Sequence, residues 1–84
     1  MSRTTKFMLS IEFKCNAAAD ADVEFWVGVK AESAGTFLPT ATRDMQFEFP
    51  NRRAAQRALA RIKKHVQIDH YSIEPWVEED TLDG

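Results

Sequence analysis

The stretch that most constrains the fold follows Pro50: NRRAAQRALARIKKHV, residues Asn51 to Val66. It holds no Gly and no Pro and is rich in Ala, Arg, Leu and Lys, all strong helix formers. Asn51 is suited to the N-cap, because its side-chain oxygen can accept a bond from an N–H that the first turn leaves unpaired. At about 100° per residue, Ala55, Ala58, Leu59, Ile62 and Val66 fall on one face. Arg53, Arg57, Arg61 and Lys64 form a ridge on the other side, with Arg52 and Lys63 flanking the apolar stripe. Basic residues late in the helix suit its negative end, whereas Arg52 and Arg53 in the first turn oppose the dipole. An amphipathic helix of this kind needs an apolar floor to lie on.

The residues before it supply that floor. Lys6 to Lys14 alternate strictly, with Phe7, Leu9, Ile11 and Phe13 on one side, which predicts a strand with one buried face. Val23 to Glu32 also alternates (Val23, Phe25, Val27, Val29, Ala31) and predicts a second strand, carrying Trp26 on its solvent side. Ser33 to Ala41 contains Gly35 and Pro39 and reads as a long hairpin loop with an apolar tip, Phe37-Leu38. Thr42 to Phe49 predicts a third strand with Met45, Phe47 and Phe49 inward, stopped by Pro50. Asp69 to Trp76 predicts a shorter fourth strand, with Tyr71 and Ile73 inward and Pro75 placing it at an edge or ending it. The order is β-β-β-α-β: an α+β fold of two layers, a four-stranded mostly antiparallel sheet with one helix on one face. It reads as a single domain over residues 1–84, with 1–5 a flexible lead and 78–84 an acidic tail.

Composition narrows the class of function. Eleven Lys and Arg against thirteen Asp and Glu give a net charge of −2, so no global pull on nucleic acid is expected. The charge is unevenly placed: six of those eleven cations lie between Arg52 and Lys64, a segment without a single acid. Acids gather instead at Asp20–Glu24 and at Glu78–Asp83. Cys15 is the one cysteine, which excludes an internal disulfide and a cysteine-based zinc site. No apolar run approaches the roughly 20 residues of a membrane span, and no apolar signal segment follows the N-terminus. The expectation is a cytoplasmic protein with no membrane partner.

No catalytic motif stands out, and no cofactor or metal is expected; His65 and His70, with Asp69 between them, are too few ligands for a metal. The candidate contact residues are surface ones. The ridge Arg53, Arg57, Arg61 and Lys64 can track phosphates or dock on an acidic protein, or it is a solvated face. Trp26 and Trp76 are aromatic anchors for a partner if exposed, or are covered by the Phe37-Leu38 loop or the tail. Glu78, Glu79 and Asp80, with Asp20, Asp22 and Glu24, can imitate phosphates or serve only solubility. A homodimer through the Trp26 face or an edge strand is a further reading.

The run FEFPNRRAAQRALARI, a strand entering a helix with basic residues in its first turn, resembles the last strand and second helix of double-stranded-RNA-binding domains. That likeness implies a phosphate grip by Arg52 and Arg53; the helix that opens that family's domain has no counterpart before Lys6. The order of three strands and a helix is also similar to the arm-binding domains of phage integrases, where the sheet enters the major groove. Here that face carries Glu12, Glu24, Asp44 and Glu48. In size, charge segregation and layout the chain resembles the small inhibitors that phages and mobile elements direct against bacterial immunity, the anti-CRISPR class. This last resemblance implies a non-enzymatic protein that binds a CRISPR-Cas effector complex stoichiometrically in the host bacterial cytoplasm and blocks a nucleic-acid or subunit site. Direct nucleic-acid binding by the helix face 52–64 is the alternative.

Overall fold

β1 (Arg3–Lys14) is an inner strand, and the rest of the fold is laid against it. In a computed structural model of the chain, which describes residues 3–79, it is followed by α1 (Asp20–Val27), β2 (Ser33–Phe37), β3 (Thr42–Phe49), α2 (Arg52–Lys63) and β4 (His70–Glu79). The four strands form one antiparallel sheet in the order β2-β3-β1-β4. This is the split β-α-β, ferredoxin-like arrangement. The α+β class, the two layers and the four-stranded antiparallel sheet are those expected, and β4 lies beside β1 at an edge.

The helical layer has a second member, and the expected strand over Val23–Glu32 is its source. Residues 20–27 are helix, and the true second strand is Ser33–Phe37, the segment read as a hairpin loop. Val23 and Val27 are both fully buried, and Trp26 packs against the same core. These are i, i+3 and i+4 positions, one helical face. Phe25, inward in a strand, is 79% exposed. Asp20 and Asp22 stand in the positive first turn, and Gly28, at φ 99°, ends the helix with its N–H donating to the Glu24 carbonyl at 2.8 Å. Topology requires such an element. β1 and β2 flank β3 and therefore run parallel, and parallel strands cannot be joined by a tight turn. The Glu24 carboxylate accepts from the Ala31 N–H at 2.9 Å, which fixes the turn into β2.

The core lies between the helices and one sheet face. Leu9, Ile11 and Phe13 of β1 sit in register with Phe47, Met45 and Arg43 of β3, and Phe7 with Phe49. Ala55, Ala58, Leu59 and Ile62 of α2 and the following Val66 close the core from above. Ala55 and Ala58 are fully buried, which lets α2 lie close to the strands. Burying a Phe contributes on the order of 1.5–3 kcal/mol, so Phe13 and Phe47 are among the largest single contributors. Phe7 is half-buried, and Phe25 contributes little. The cap is as expected: Asn51 Oδ1 accepts from the Ala54 N–H at 2.8 Å. Arg43 ties α1 to the sheet, donating from Nε and Nη2 to the two Asp20 oxygens and from Nη1 to Thr36.

The termini depart from expectation. Arg3, Thr4 and Thr5 are not a flexible lead but pair with Glu79, Glu78 and Val77. Glu78 and Glu79 are strand, not tail; residues 80–84, Asp80 among them, lie outside the described residues. Pro75 does not stop β4. Pairing runs through Lys6 with Trp76, Phe7 with Pro75 and Met8 with Glu74. Proline has no N–H to give β1, so its nitrogen lies on the free side of the strand, where it removes a donor from the open edge.

Candidate functional site

The helix α2 carries Arg52, Arg53, Arg57, Arg61 and Lys63, with Lys64 at its C-cap, and the structure divides these six cations into two groups. One group is engaged by the fold. The Arg61 guanidinium donates to the carbonyl of Trp26 at 3.1 Å and of Val27 at 2.6 Å, two acceptors at the C-terminal end of α1. Arg52 lies 4.9 Å above the Phe7 ring and Lys63 4.2 Å above the Tyr71 ring. Both are cation–π contacts, the first over a ring of the inner strand β1 and the second over a ring of the edge strand β4. Arg61 is thus a structural residue of the helix pair, a correction to its place in the ridge.

The second group is Arg53, Arg57 and Lys64. All three are exposed, and their side chains have no hydrogen-bond, ion-pair or aromatic partner among the described residues. On a helical projection at about 100° per residue they lie opposite the buried face, with Ala60 between Arg57 and Lys64. Arg53 opposes the dipole by roughly 0.3–1 kcal/mol, and Arg53 and Arg57, four apart, repel by about 0.2–0.5 kcal/mol. Stability therefore does not account for their presence there.

The sheet face away from the helices is open and predominantly acidic. Its register places Glu12 beside Asp44 and His70, and Met8 between Glu48 and Glu74. Lys6 meets Glu48 at 3.4 Å, His70 Nε2 stands 3.9 Å from Glu12, and Lys14 Nζ stands 3.9 Å from Asp69 Oδ2. Asp69 Oδ2 is buried and accepts no hydrogen bond, so the Lys14 ammonium is its nearest compensation. Asp44 and Glu74 are exposed and in no ion pair among the described residues. No three His, Cys, Asp or Glu side chains gather as metal ligands among the described residues. No helix there is long and apolar enough to cross a membrane.

The two tryptophans are far from equivalent. Trp26 is not on the sheet. It lies on α1, half-buried, and stacks on His65 with ring centroids 4.6 Å apart and planes 4° from parallel. The residue seen against it is His65, and residues 80–84 of the expected tail lie outside the described residues. Glu24 and Lys30, placed on the open sheet face by the strand reading, lie instead on α1 and the turn beyond it. Trp76 does lie on the open face, opposite Lys6, and is 44% exposed. Glu78 and Glu79 end β4, and Asp80 lies outside the described residues. Sequence reasoning missed Asp44 and Glu74 as the unpaired acids and His65 as the partner of Trp26. The signal for the last was available, since His65 ends a helix whose neighbour was not recognised.

The structure therefore joins Arg53, Arg57 and Lys64 on one outward surface, sets Trp76 opposite Lys6 on the other, and engages Arg61 and Trp26 in contacts between α1 and the C-terminal end of α2. No protein-family model, no curated protein and no solved structure matches the chain.

Proposed function

We propose that this chain is a non-enzymatic binding protein whose contact surface is the outward ridge of α2, docking on an acidic surface of a partner protein. The observation that carries the reading is the set of three cations, Arg53, Arg57 and Lys64, that face outward without a partner among the described residues, two of them placed against the stability of their own helix. Arg is enriched at interface hot spots, and a basic ridge steers encounter with an acidic partner. In its sharpest form the partner is a bacterial immune complex of the CRISPR-Cas kind, and the chain a phage-derived inhibitor that occupies a nucleic-acid or subunit site in the bacterial cytoplasm. Small size and segregated charge support that form; the β-α-β-β-α-β order removes the layout from its support.

Nucleic acid is the less favoured occupant. The ridge offers three cations free of the fold, and the open sheet carries Glu12, Asp44, Glu48 and Glu74, which repel a phosphate backbone. The test uses tagged wild-type chain and the variant R53E/R57E/K64E, sparing Arg61 so that the helix pair stays intact. Recovery from a bacterial lysate of one stoichiometric complex, lost in the variant, supports the reading. A low-salt mobility shift of DNA or RNA, lost in the same variant, replaces it with nucleic-acid binding.

A further inference from the structure

The two charged surfaces of this fold are complementary to each other, and they point in opposite directions. The helices cover one side of the sheet, so the α2 ridge and the open sheet face are the two broad outer surfaces of a two-layer body. The ridge runs from Arg53 to Lys64, about 16 Å at 1.5 Å per residue. On the open face, Asp44 and Glu48 are four residues apart along β3, about 13 Å. Glu48 and Glu74 flank Met8 at one end, about 10 Å apart across two strand spacings; Asp44 and Glu12 adjoin at the other. The ridge is about 3 Å longer than the acidic field and so spans it, with Arg53 and Arg57 at one end and Lys64 at the other. Ala60, the small residue between Arg57 and Lys64, lets the helix approach the pleated surface.

We infer that this chain self-associates head to tail, the α2 ridge of one copy lying along the open sheet face of the next. This goes beyond the proposed function and stands or falls separately from it. Charge decides against the symmetric alternatives. Two sheets face to face would bring together two surfaces that each carry Glu12, Asp44, Glu48 and Glu74 against Lys6 and Lys14, and two ridges would bring together two wholly basic surfaces. Pro75 interrupts the β4 edge that would otherwise serve a strand-to-strand dimer. Ridge on sheet sets a wholly basic surface against a predominantly acidic one, and that contact is heterologous: every copy has one surface of each kind to offer, so the association is open-ended. It is also weak and salt-sensitive, because exposed ion pairs are individually small and screened. A copy in such a stack has its ridge covered, so self-association competes with any foreign partner.

The test is sedimentation velocity on the full chain. Wild type at low ionic strength is expected to form a concentration-dependent series of species, weakened roughly tenfold on moving from about 25 mM to about 500 mM salt. R53E/R57E, with its ridge reversed, and D44K/E74K, with its sheet face reversed, are each expected to be monomeric under the same conditions. Mixing those two variants is the decisive arm. The sheet-reversed chain retains a basic ridge and the ridge-reversed chain an acidic sheet face, and the two reversed surfaces are also unlike in charge, so an equimolar mixture regains the concentration-dependent series that each variant alone has lost. The milder R53Q/R57Q and D44N/E74Q weaken association in parallel, with unchanged circular dichroism confirming the fold. Monomeric wild type at low salt and millimolar concentration overturns the inference, as does association that survives in R53E/R57E.

Discussion

Arg61 closes the end of a helix it does not belong to: its guanidinium donates to the carbonyls of Trp26 and Val27, the last turn of α1, at 3.1 and 2.6 Å. The last carbonyls of a helix have no intrahelical donor, and a cation there also complements the negative end of the dipole. α1 has no basic residue of its own in its last turn, so α2 supplies one. Arg61→Ala is expected to destabilise the fold by about 1–2 kcal/mol, read as a lower urea midpoint at unchanged slope. Arg53→Ala and Arg57→Ala should stay within about 0.5 kcal/mol of wild type. Equal losses at all three positions would remove the distinction between fold-engaged and outward cations.

Gly28 lies against the same guanidinium. Its φ of 99° disfavours any residue with a Cβ, and a Cβ there would stand 3.2 Å from Arg61 Nη2. Gly28→Ala should destabilise by roughly 1–2 kcal/mol from the backbone alone. Part of any further loss comes from displacing Arg61. Gly28→Ala combined with Arg61→Ala should therefore lose less than the two single losses added together. Strict additivity in a denaturation double-mutant cycle would show the two to be independent.

These relationships explain what the sequence could and could not convey. α2 was legible because its apolar period has one interpretation and Asn51 supplies the cap that the period needs. α1 was not, because Val23 and Val27 are buried partners under a period of 2 and under an i, i+4 spacing alike. Phe25 and Trp26 separate the two, and the hydrophobicity of Phe25 favours the wrong answer. The deciding signals were chemical: Asp20 and Asp22 at a helix start, and Gly28 at its end. β2 (Ser33–Phe37) has little strand propensity of its own beyond Thr36 and Phe37, and it is a strand because β3 pairs with it. The misplacement of Arg61 follows from the missed helix, since a cation reads as outward-facing when the carbonyls it serves have not been foreseen. Arg53, Arg57 and Lys64 face no second helix, and for them the periodicity was sufficient.

The Asp20–Arg43 pair gives the fold an acid-sensitive element. Hydrogen bonding to the Arg43 guanidinium, aided by its charge and opposed by partial desolvation, holds the Asp20 carboxyl below its ordinary value of 3.8. Arg43 is shifted the other way, upward, by the same hydrogen bond, so the two partners agree in sign. A carboxyl depressed in the folded state stabilises wherever it is ionised in both states, and that stabilisation is lost as pH falls through the depressed value. The wild type should thus exceed Asp20→Asn in stability by a constant amount above about pH 5, with the difference shrinking below 3.8. Asp20 is 46% exposed, so screening holds the plateau to about 1 kcal/mol or less. Urea midpoints of both proteins between pH 3 and pH 7, converging only at the acid end, are the expected result; a constant offset across that range would place the effect elsewhere.

Pro75 bears on how a ten-residue strand at the sheet edge is kept from pairing with a second chain. β4 exposes Tyr71, Trp76 and Val77, which together with a free row of backbone groups would template a second strand. Because its nitrogen faces the free side, Pro75 breaks that row near its centre without breaking the pairing to β1. Pro75→Thr restores the missing donor and adds a β-branched residue suited to a strand. Its effect on the folded monomer should be small, within about 1 kcal/mol, since the ladder to β1 is untouched. Its effect on assembly should be larger: faster growth of light scattering on incubation at matched concentration, insensitive to salt because main-chain pairing drives it. That insensitivity separates edge pairing from the ridge-on-sheet contact, which salt dissolves. Scattering of Pro75→Thr indistinguishable from wild type would mean that the edge is protected by its charged side chains, Glu74 first among them, and not by the proline.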